Sequence, residues 1–184
     1  MGLGGKGKPK ISVIVITLGR ESLYKLIEKL LKQEINQTYE IVLVPQNPLK
    51  EELLKDKKIR IFYEPLGKGV SYYRNVGIKK SRGDIIAFID DDEEPFDEKW
   101  LRNLVFPIIS NKESITTAGV FIPLGQGYIA DSISLLGFPG GGAVGFKTMW
   151  KVDENNYTKH LCTGNFAFRK NLIQRIGYFH EEMK

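Results

Sequence analysis

Five consecutive acids, Asp90 to Glu94, follow the apolar run Ile85 to Ile89 without a spacer. In extended chain alternate side chains share a face, which puts Asp90 and Asp92 on one side. Two carboxylates so placed suit a hard cation, Mg²⁺ or Mn²⁺, which takes oxygen ligands and leaves positions for phosphate oxygens and water. Such a cation offsets the repulsion between aspartates and a diphosphate and stabilises charge that develops on the diphosphate as a bond to it breaks. The same run also fits an acidic turn that is solvated or favours the start of the next helix. Two cations upstream bear on the choice. Arg74 carries a guanidinium that can fork onto phosphate or a base edge, with an ion pair to Asp84 or another acid as the alternative. Lys68, between Gly67 and Gly69, is within reach of a phosphate or is an exposed turn lysine.

The elements that must position these groups alternate. Residues 11–17, ISVIVIT, are β-branched and nearly continuous in hydrophobicity, the pattern of a strand buried on both faces of a parallel sheet. Leu23, Ile27, Leu30 and Leu31 then recur at helical spacing between about Glu21 and Gln33. EIVLV, residues 40–44, is a second strand closed by Pro45 and Pro48, and residues 49–57 read as a short polar helix. Residues 59–63 predict a third strand, 70–81 a helix and 85–89 a fourth strand, after which Pro95 and Asp97 open a helix to about Ile109. This order implies an α/β domain of Rossmann-like, three-layer type with a mostly parallel sheet and right-handed crossovers. Ligands of such sheets bind beyond the carboxyl ends of the strands, so Thr17, Pro45, Tyr63 and Asp90 are expected to converge. The second half is less regular. Residues 115–121, 147–152 and 167–169 read as strands, 137–145 as a glycine-rich loop and 171–176 as one or two helical turns.

Composition narrows the class. The 184 residues allow one domain with a sizeable core, and 42% hydrophobic with 27% charged residues is ordinary for a globular chain. No apolar run approaches the roughly 20 residues of a spanning helix, and the start lacks a signal-peptide core, so residues 1–10 read as a flexible extension. Much of the net charge of +5 sits there, in Lys6, Lys8 and Lys10. Elsewhere Lys and Arg alternate with acids, without the basic stripe and interleaved aromatics of a nucleic-acid binder. Cys162 is the single cysteine, which excludes an internal disulfide and fits a reducing, cytoplasmic compartment; a small buried filler is its expected role.

The segment Gly69-Val-Ser-Tyr-Tyr-Arg-Asn-Val-Gly-Ile78, followed by Ser81-Arg-Gly-Asp84 and IIAFIDDD, resembles family 2 glycosyltransferases of the GT-A fold. ISVIVITLGR looks like the family's first strand, and Gly164-Asn-Phe-Ala-Phe-Arg169 through Gly177-Tyr-Phe179 looks like its acceptor-side segment. The resemblance spans roughly residues 11–182. It implies one GT-A-like domain over 11–184, with a nucleotide-sugar half at 11–110 and an acceptor-side half at 111–184. The implied activity is metal-dependent, inverting transfer of a sugar from a nucleoside diphosphate to an acceptor hydroxyl. Asp90 and Asp92 then hold Mn²⁺ or Mg²⁺, with Asp90 and Asp91 also near the nucleotide, and Thr17, Gly19, Glu21, Gln46, Lys68 and Arg74 surround it. Trp150, Gly164 and Asn165 border a carbohydrate or lipid-linked acceptor, an arrangement compatible with peripheral placement at the inner face of a membrane.

Three departures qualify the match. Val44-Pro45-Gln46-Asn47-Pro48 replaces the usual Val-Asp-Asp-Gly-Ser, so the base-reading aspartate is absent. The Gln46 amide, donor and acceptor at once, suits uracil or another base. Ile16 and Gly19 replace a proline and an asparagine of the first strand's end. The general base expected for inversion follows a Gly-Phe-Asp-Glu-like block, here Gly177-Tyr-Phe-His-Glu-Glu182, and its position falls past Lys184. Glu181 is the substitute, ahead of Glu182 and the histidines His180 and His160. Trp100 matches helix-core spacing, whereas Trp150 and Phe146 suit contact with a sugar or lipid. The rival readings are a non-catalytic nucleotide-sugar-binding module and a sugar nucleotidyltransferase, whose basic glycine-rich loop TLGRES matches poorly.

Overall fold

β-branched runs without a polar face can be satisfied only by burial on both sides, and the strands β1 (Ile11–Thr17), β2 (Tyr39–Pro45) and β4 (Ile85–Ile89) occupy the sheet interior accordingly. The computed structural model describes residues 9–50, 54–112, 116–118, 127–129, 132, 153–155, 157, 161 and 163–182. Its described strands form one sheet in the order β3-β2-β1-β4-β6-β5, with β3 at Ile59–Ile61, β5 at Thr116–Ala118 and β6 at Asn165–Arg169. β1, β2, β3 and β4 run parallel, while β6 is antiparallel to both β4 and β5. The chain thus returns from far along the sequence to lay Asn165 beside Ile89, next to the acids.

Helices cover both faces. On one, α1 (Ser22–Leu31) and α3 (Trp100–Ser110) bury Leu23, Leu26, Ile27, Leu30, Leu101, Leu104, Val105 and Ile108 against Ile11, Val13, Val15, Ile41 and Leu43. On the other, α2 (Val70–Lys80) packs Tyr73, Val76 and Ile78 against Ile14, Val42, Ile86 and Phe88, with Leu172, Ile173 and Phe179 alongside. α2 lacks an apolar stripe. It is buried on several sides, and Ser71, Arg74 and Asn75 are among its covered residues, so its sequence has no solvent-facing half to mark.

Several boundaries differ from the sequence expectation. The helix expected from Pro95 begins at Trp100, because the preceding residues turn and the Leu101 amide is capped by Gln33 Oε1 of the α1 exit at 2.8 Å. Trp100 does pack against the core, and its indole also donates to Asn165. The strand expected over 59–63 stops at Ile61, residues 54–58 are non-helical, and the turns at 171–176 are a 3₁₀ turn followed by Ile173–Ile176. The expectations for residues 1–8, 119–121, 137–145 and 147–152, and for Phe146, Trp150, His160 and Cys162, lie outside the described residues.

At the amino end of the sheet a buried polar network locks β1, β2 and the α2–β4 turn. Glu40, 5% exposed, accepts from Ser12 Oγ and from the Arg82 amide, both at 2.6 Å, and pairs with Arg60. The Gly83 amide donates to Ser12 Oγ at 2.8 Å. A Cβ on Gly83 would sit 2.6 Å from Ile11 C and Ser12 N, backbone that cannot yield without breaking this network. Gly83→Ala is therefore expected to lower stability by about 3 kcal/mol, at the upper end of overpacking costs. Chemical denaturation measures it, and a loss below about 0.5 kcal/mol would show that the turn relaxes freely.

Candidate functional site at the end of the fourth strand

Three expected strand ends meet. Thr17 closes β1 and Gln46 follows β2, joined by a bond from the Gln46 amide to the Thr17 carbonyl at 3.0 Å, and Asp90 follows β4. The start of α2 supplies the fourth wall. A cleft of about 320 Å³ lies between them, lined by Thr17, Leu18, Arg20, Gln46, Lys68, Arg74 and Asp90 to Asp92 among others. Tyr63 is not among its described lining, because β3 ends two residues earlier. A larger cavity of about 440 Å³ at the opposite end of the sheet is lined by Asp84, Arg169, Lys170 and Tyr178 among others. It holds none of the expected site residues; the smaller cleft has the chemistry.

The three aspartates do different things. Asp91 turns inward: its Oδ2 accepts from Thr17 Oγ1 at 2.7 Å and the Leu18 amide at 3.3 Å, and only 9% of its side chain is exposed. Thr17 Oγ1 in turn accepts from the Gly19 amide, so Asp91 ties the loop after β1 to the end of β4. Asp92 projects outward, with 65% of its side chain exposed. Arg20, not singled out by the sequence, lies 3.4 Å from both Asp91 Oδ1 and Asp92 Oδ2. Its place three residues past the end of a buried strand was the available signal.

Asp90 is the pivotal group. Its Oδ1 lies 3.7 Å from Arg74 Nη2, and its backbone amide continues the ladder by donating to the Gly164 carbonyl. Burial, and then the charges of Asp92 and Asp91, raise its pKa above the usual range against the pull of Arg74. Glu93, a second residue absent from the expected set, is pushed up to about 8 by burial first and then by Asp90 and Asp92. A Cβ on Gly164 would lie 2.6 Å from Asp90 Oδ2 and 2.5 Å from Glu93 Oε1, so a larger residue there would push these carboxylates out of their present positions. The result is a concentration of acid for which the described protein supplies too little positive charge.

Arg74 is buried, and the expected alternative partner Asp84 instead pairs with Lys10 at 3.0 Å. Its Nε has no hydrogen-bond partner among the described residues. An orphaned buried donor is costly, which makes it the kind of group a ligand satisfies. Lys68 lines the cleft with its ammonium 5.9 Å from the Tyr72 ring centre, and its amide donates to Tyr73 Oη.

Other expected residues are placed elsewhere. Gly19 has φ +80° and packs on Leu49 and Pro48, behind the loop rather than in the cleft lining. Glu21 is largely exposed and pairs with Lys50 at 2.5 Å. Asn165 accepts from the Trp100 indole at 3.1 Å. Glu181 Oε1 accepts from Asn75 Nδ2 at 2.7 Å and is not among the described residues lining the cleft. His180 is exposed on the same segment. Among the described residues no helix is long and apolar enough to cross a membrane.

Comparison with known proteins agrees with this architecture. A glucosyl-dolichyl phosphate glucuronosyltransferase of Haloferax volcanii is 26% identical over 185 residues, covering 91% of this chain and 55% of that protein. A mannosyltransferase of Pyrobaculum calidifontis, solved in complex with GDP-Man and Mn²⁺, superposes with a TM-score of 0.70 at 17% identity over 96% of this chain and 49% of that one. TarS residues 1–349 of S. aureus give 0.64 at 22% identity, covering 95% and 51%. The chain thus spans about half the length of these proteins, and the last two establish the fold. The sequence profile described as glycosyl transferase family 2 matches residues 12–177, nearly the whole sheet and the site at its edge, and the chain belongs to that family.

Proposed function

We propose that this chain holds a nucleoside diphosphate sugar in the cleft beyond β4 and, as a metal-dependent inverting glycosyltransferase, moves the sugar to an acceptor hydroxyl. The observation that carries the reading is the convergence on one cleft of Asp90 and Asp92 with Lys68 and the buried Arg74, whose Nε has no hydrogen-bond partner among the described residues. The acids fit a hard divalent cation, Mn²⁺ or Mg²⁺, because their donors are carboxylate oxygens and their charge is under-compensated. Asp90 and Asp92 would hold it. Among the described residues no group of three His, Cys, Asp or Glu is placed to hold a metal, so a cation on Asp90 and Asp92 would need its other ligands from diphosphate oxygens and water. Bound there, the cation would supply Lewis-acid stabilisation of the departing diphosphate.

The chain's own residues do the rest. Arg74 and Lys68 meet diphosphate oxygens, the Gln46 amide pairs with the base, and Asp91 keeps the loop after β1 in place through Thr17. The acceptor hydroxyl attacks the anomeric carbon from the face opposite the diphosphate, and its proton passes to a carboxylate. Glu181 is the candidate for that proton; its Oε1 accepts from Asn75 Nδ2 at 2.7 Å, which fixes where the carboxylate stands. The names of the relatives support a nucleoside diphosphate sugar as donor and a lipid-linked or carbohydrate acceptor. A non-catalytic nucleotide-sugar-binding module is the second reading, favoured by the placement of Glu181 outside the described cleft lining. Analysis of sugar transfer to acceptors separates the two.

Calorimetry with UDP, GDP, CDP and dTDP is expected to show Mn²⁺-dependent binding of at least one, and no binding of any would remove the reading. Asp92→Asn should weaken that binding by at least about tenfold, the lower end of what even outer partners of a metal ligand cost; unchanged affinity would displace the cation from Asp92.

The raised pKa of Glu93 has a stability consequence without cation. The folded chain holds a proton up to about pH 8 that the unfolded chain releases near 4.5, so stability declines as pH rises through that window. In EDTA the melting temperature of the parent is expected to fall between pH 5 and 8 more steeply than that of Glu93→Gln. Equal slopes would mean that Glu93 ionises freely in the fold.

A further inference from the structure

Residues 177–182 have no regular secondary structure, and Tyr178, His180, Glu181 and Glu182 are exposed, yet the segment is tied firmly to α2 at one point. That point is Asn75, 1% exposed. Its Nδ2 donates to the Phe179 carbonyl at 2.9 Å and to Glu181 Oε1 at 2.7 Å, while its Oδ1 accepts from the Phe179 amide at 3.0 Å. One side-chain amide thus satisfies both backbone groups of Phe179, as a neighbouring strand would. The residue so held is the one whose ring matters. Phe179 meets Phe88 edge-on, with centroids 6.2 Å apart and planes at 89°. The Arg74 guanidinium carbon lies 5.8 Å from the Phe179 centroid and 6.0 Å from that of Phe88.

The guanidinium is therefore flanked by two aromatic rings, with Nη2 toward Asp90 and Nε buried without a partner among the described residues. Ring faces attract a cation without satisfying its N–H groups. They exclude water from it and fix its plane while its donors stay available. Arg74 and Asn75 are successive residues of one helix, so the clamp and the group it orients share a rigid frame. That helix sits tightly on β1, since a Cβ on Gly77 would collide with Ile14 Cγ2.

We propose that Asn75 is a positioning residue for the cleft: by clamping Phe179 it keeps that ring against Arg74 and holds the guanidinium dry and aimed beside Asp90. Its effect on ligand affinity rests on the reading that the cleft takes a nucleoside diphosphate; its effect on Arg74 does not.

The test separates these. In ¹⁵N-labelled protein without nucleotide, the Arg74 Nε–H signal, assigned by its loss in Arg74→Lys, is expected to exchange slowly with solvent in the parent and at least about tenfold faster in Asn75→Ala, as for coupled neighbours. With Mn²⁺ and UDP or GDP, Asn75→Ala should weaken binding by about tenfold, and adding Phe179→Leu should cost little more, because both changes act through one ring. If Asn75→Ala does not fold, Phe179→Leu alone carries the test, since it keeps the backbone bonds to Asn75 and removes only the ring. A lower melting temperature with unchanged Arg74 exchange would make Asn75 a purely structural residue and overturn the proposal. If the parent binds neither nucleotide, the donor reading fails for those bases, and faster Arg74 exchange still upholds the positioning role while unchanged exchange ends it.

Discussion

Carboxylates crowded at the end of one buried strand set the terms for everything around them. Burial first, and then the neighbouring carboxylates, raise Asp90 and Glu93 above the usual carboxylate range. The fold manages this unevenly. Asp91 is absorbed by Thr17 Oγ1 and the Leu18 amide, Glu94 outside the cleft is taken up by Lys25 and Lys29, and Asp92 is left largely to solvent with Arg20 nearby. Asp90 and Glu93 retain the deficit. Under the proposed function, a cation with phosphate oxygens attached would resolve it.

Rigidity around this charge comes from packing on both faces of the sheet and from the close approach of two backbones. Gly164 lets β6 run directly beside the acids, and the antiparallel pairing of β4 with β6 gives the end of β4 a second neighbour beyond its parallel partner β1. On the α2 face Phe88, Phe166 and Phe168 stack, with centroids 5.3 to 6.4 Å apart, and Phe179 closes the group edge-on. The cluster reaches the acids through Arg74, whose guanidinium lies over the Phe88 and Phe179 rings and 3.7 Å from Asp90. Polar residues of α2 face the same way, which is why that helix carries no amphipathic stripe.

Much of this was legible from local pattern. The apolar runs ending at Thr17, Pro45 and Ile89, the helical spacing of Leu23, Ile27 and Leu30, and the motif around Arg74 lead to the right class of fold, and β1 to β4 with α1 and α2 lie within a few residues of their expected places, whereas the helix expected over 49–57 does not form at 54–58. Less legible were places where a distant group decides a local outcome. α3 begins later than Pro95 suggests because Gln33 caps it, and Arg20 and Glu93 join the site through neighbours that no spacing rule names.

What the sequence determined by itself is the alternation of strands and helices, and the presence of an acidic run where a buried strand meets solvent; both follow from periodicity over a few residues. What only the tertiary structure decided is which way each carboxylate turns and what holds Arg74. The partners of Asp91 lie 73 and 74 residues earlier in the chain, and Phe179 lies 104 residues after the Asn75 that clamps it. Local hydrophobic pattern carries no information about pairings at that separation. They exist only once the sheet has brought its strand ends together.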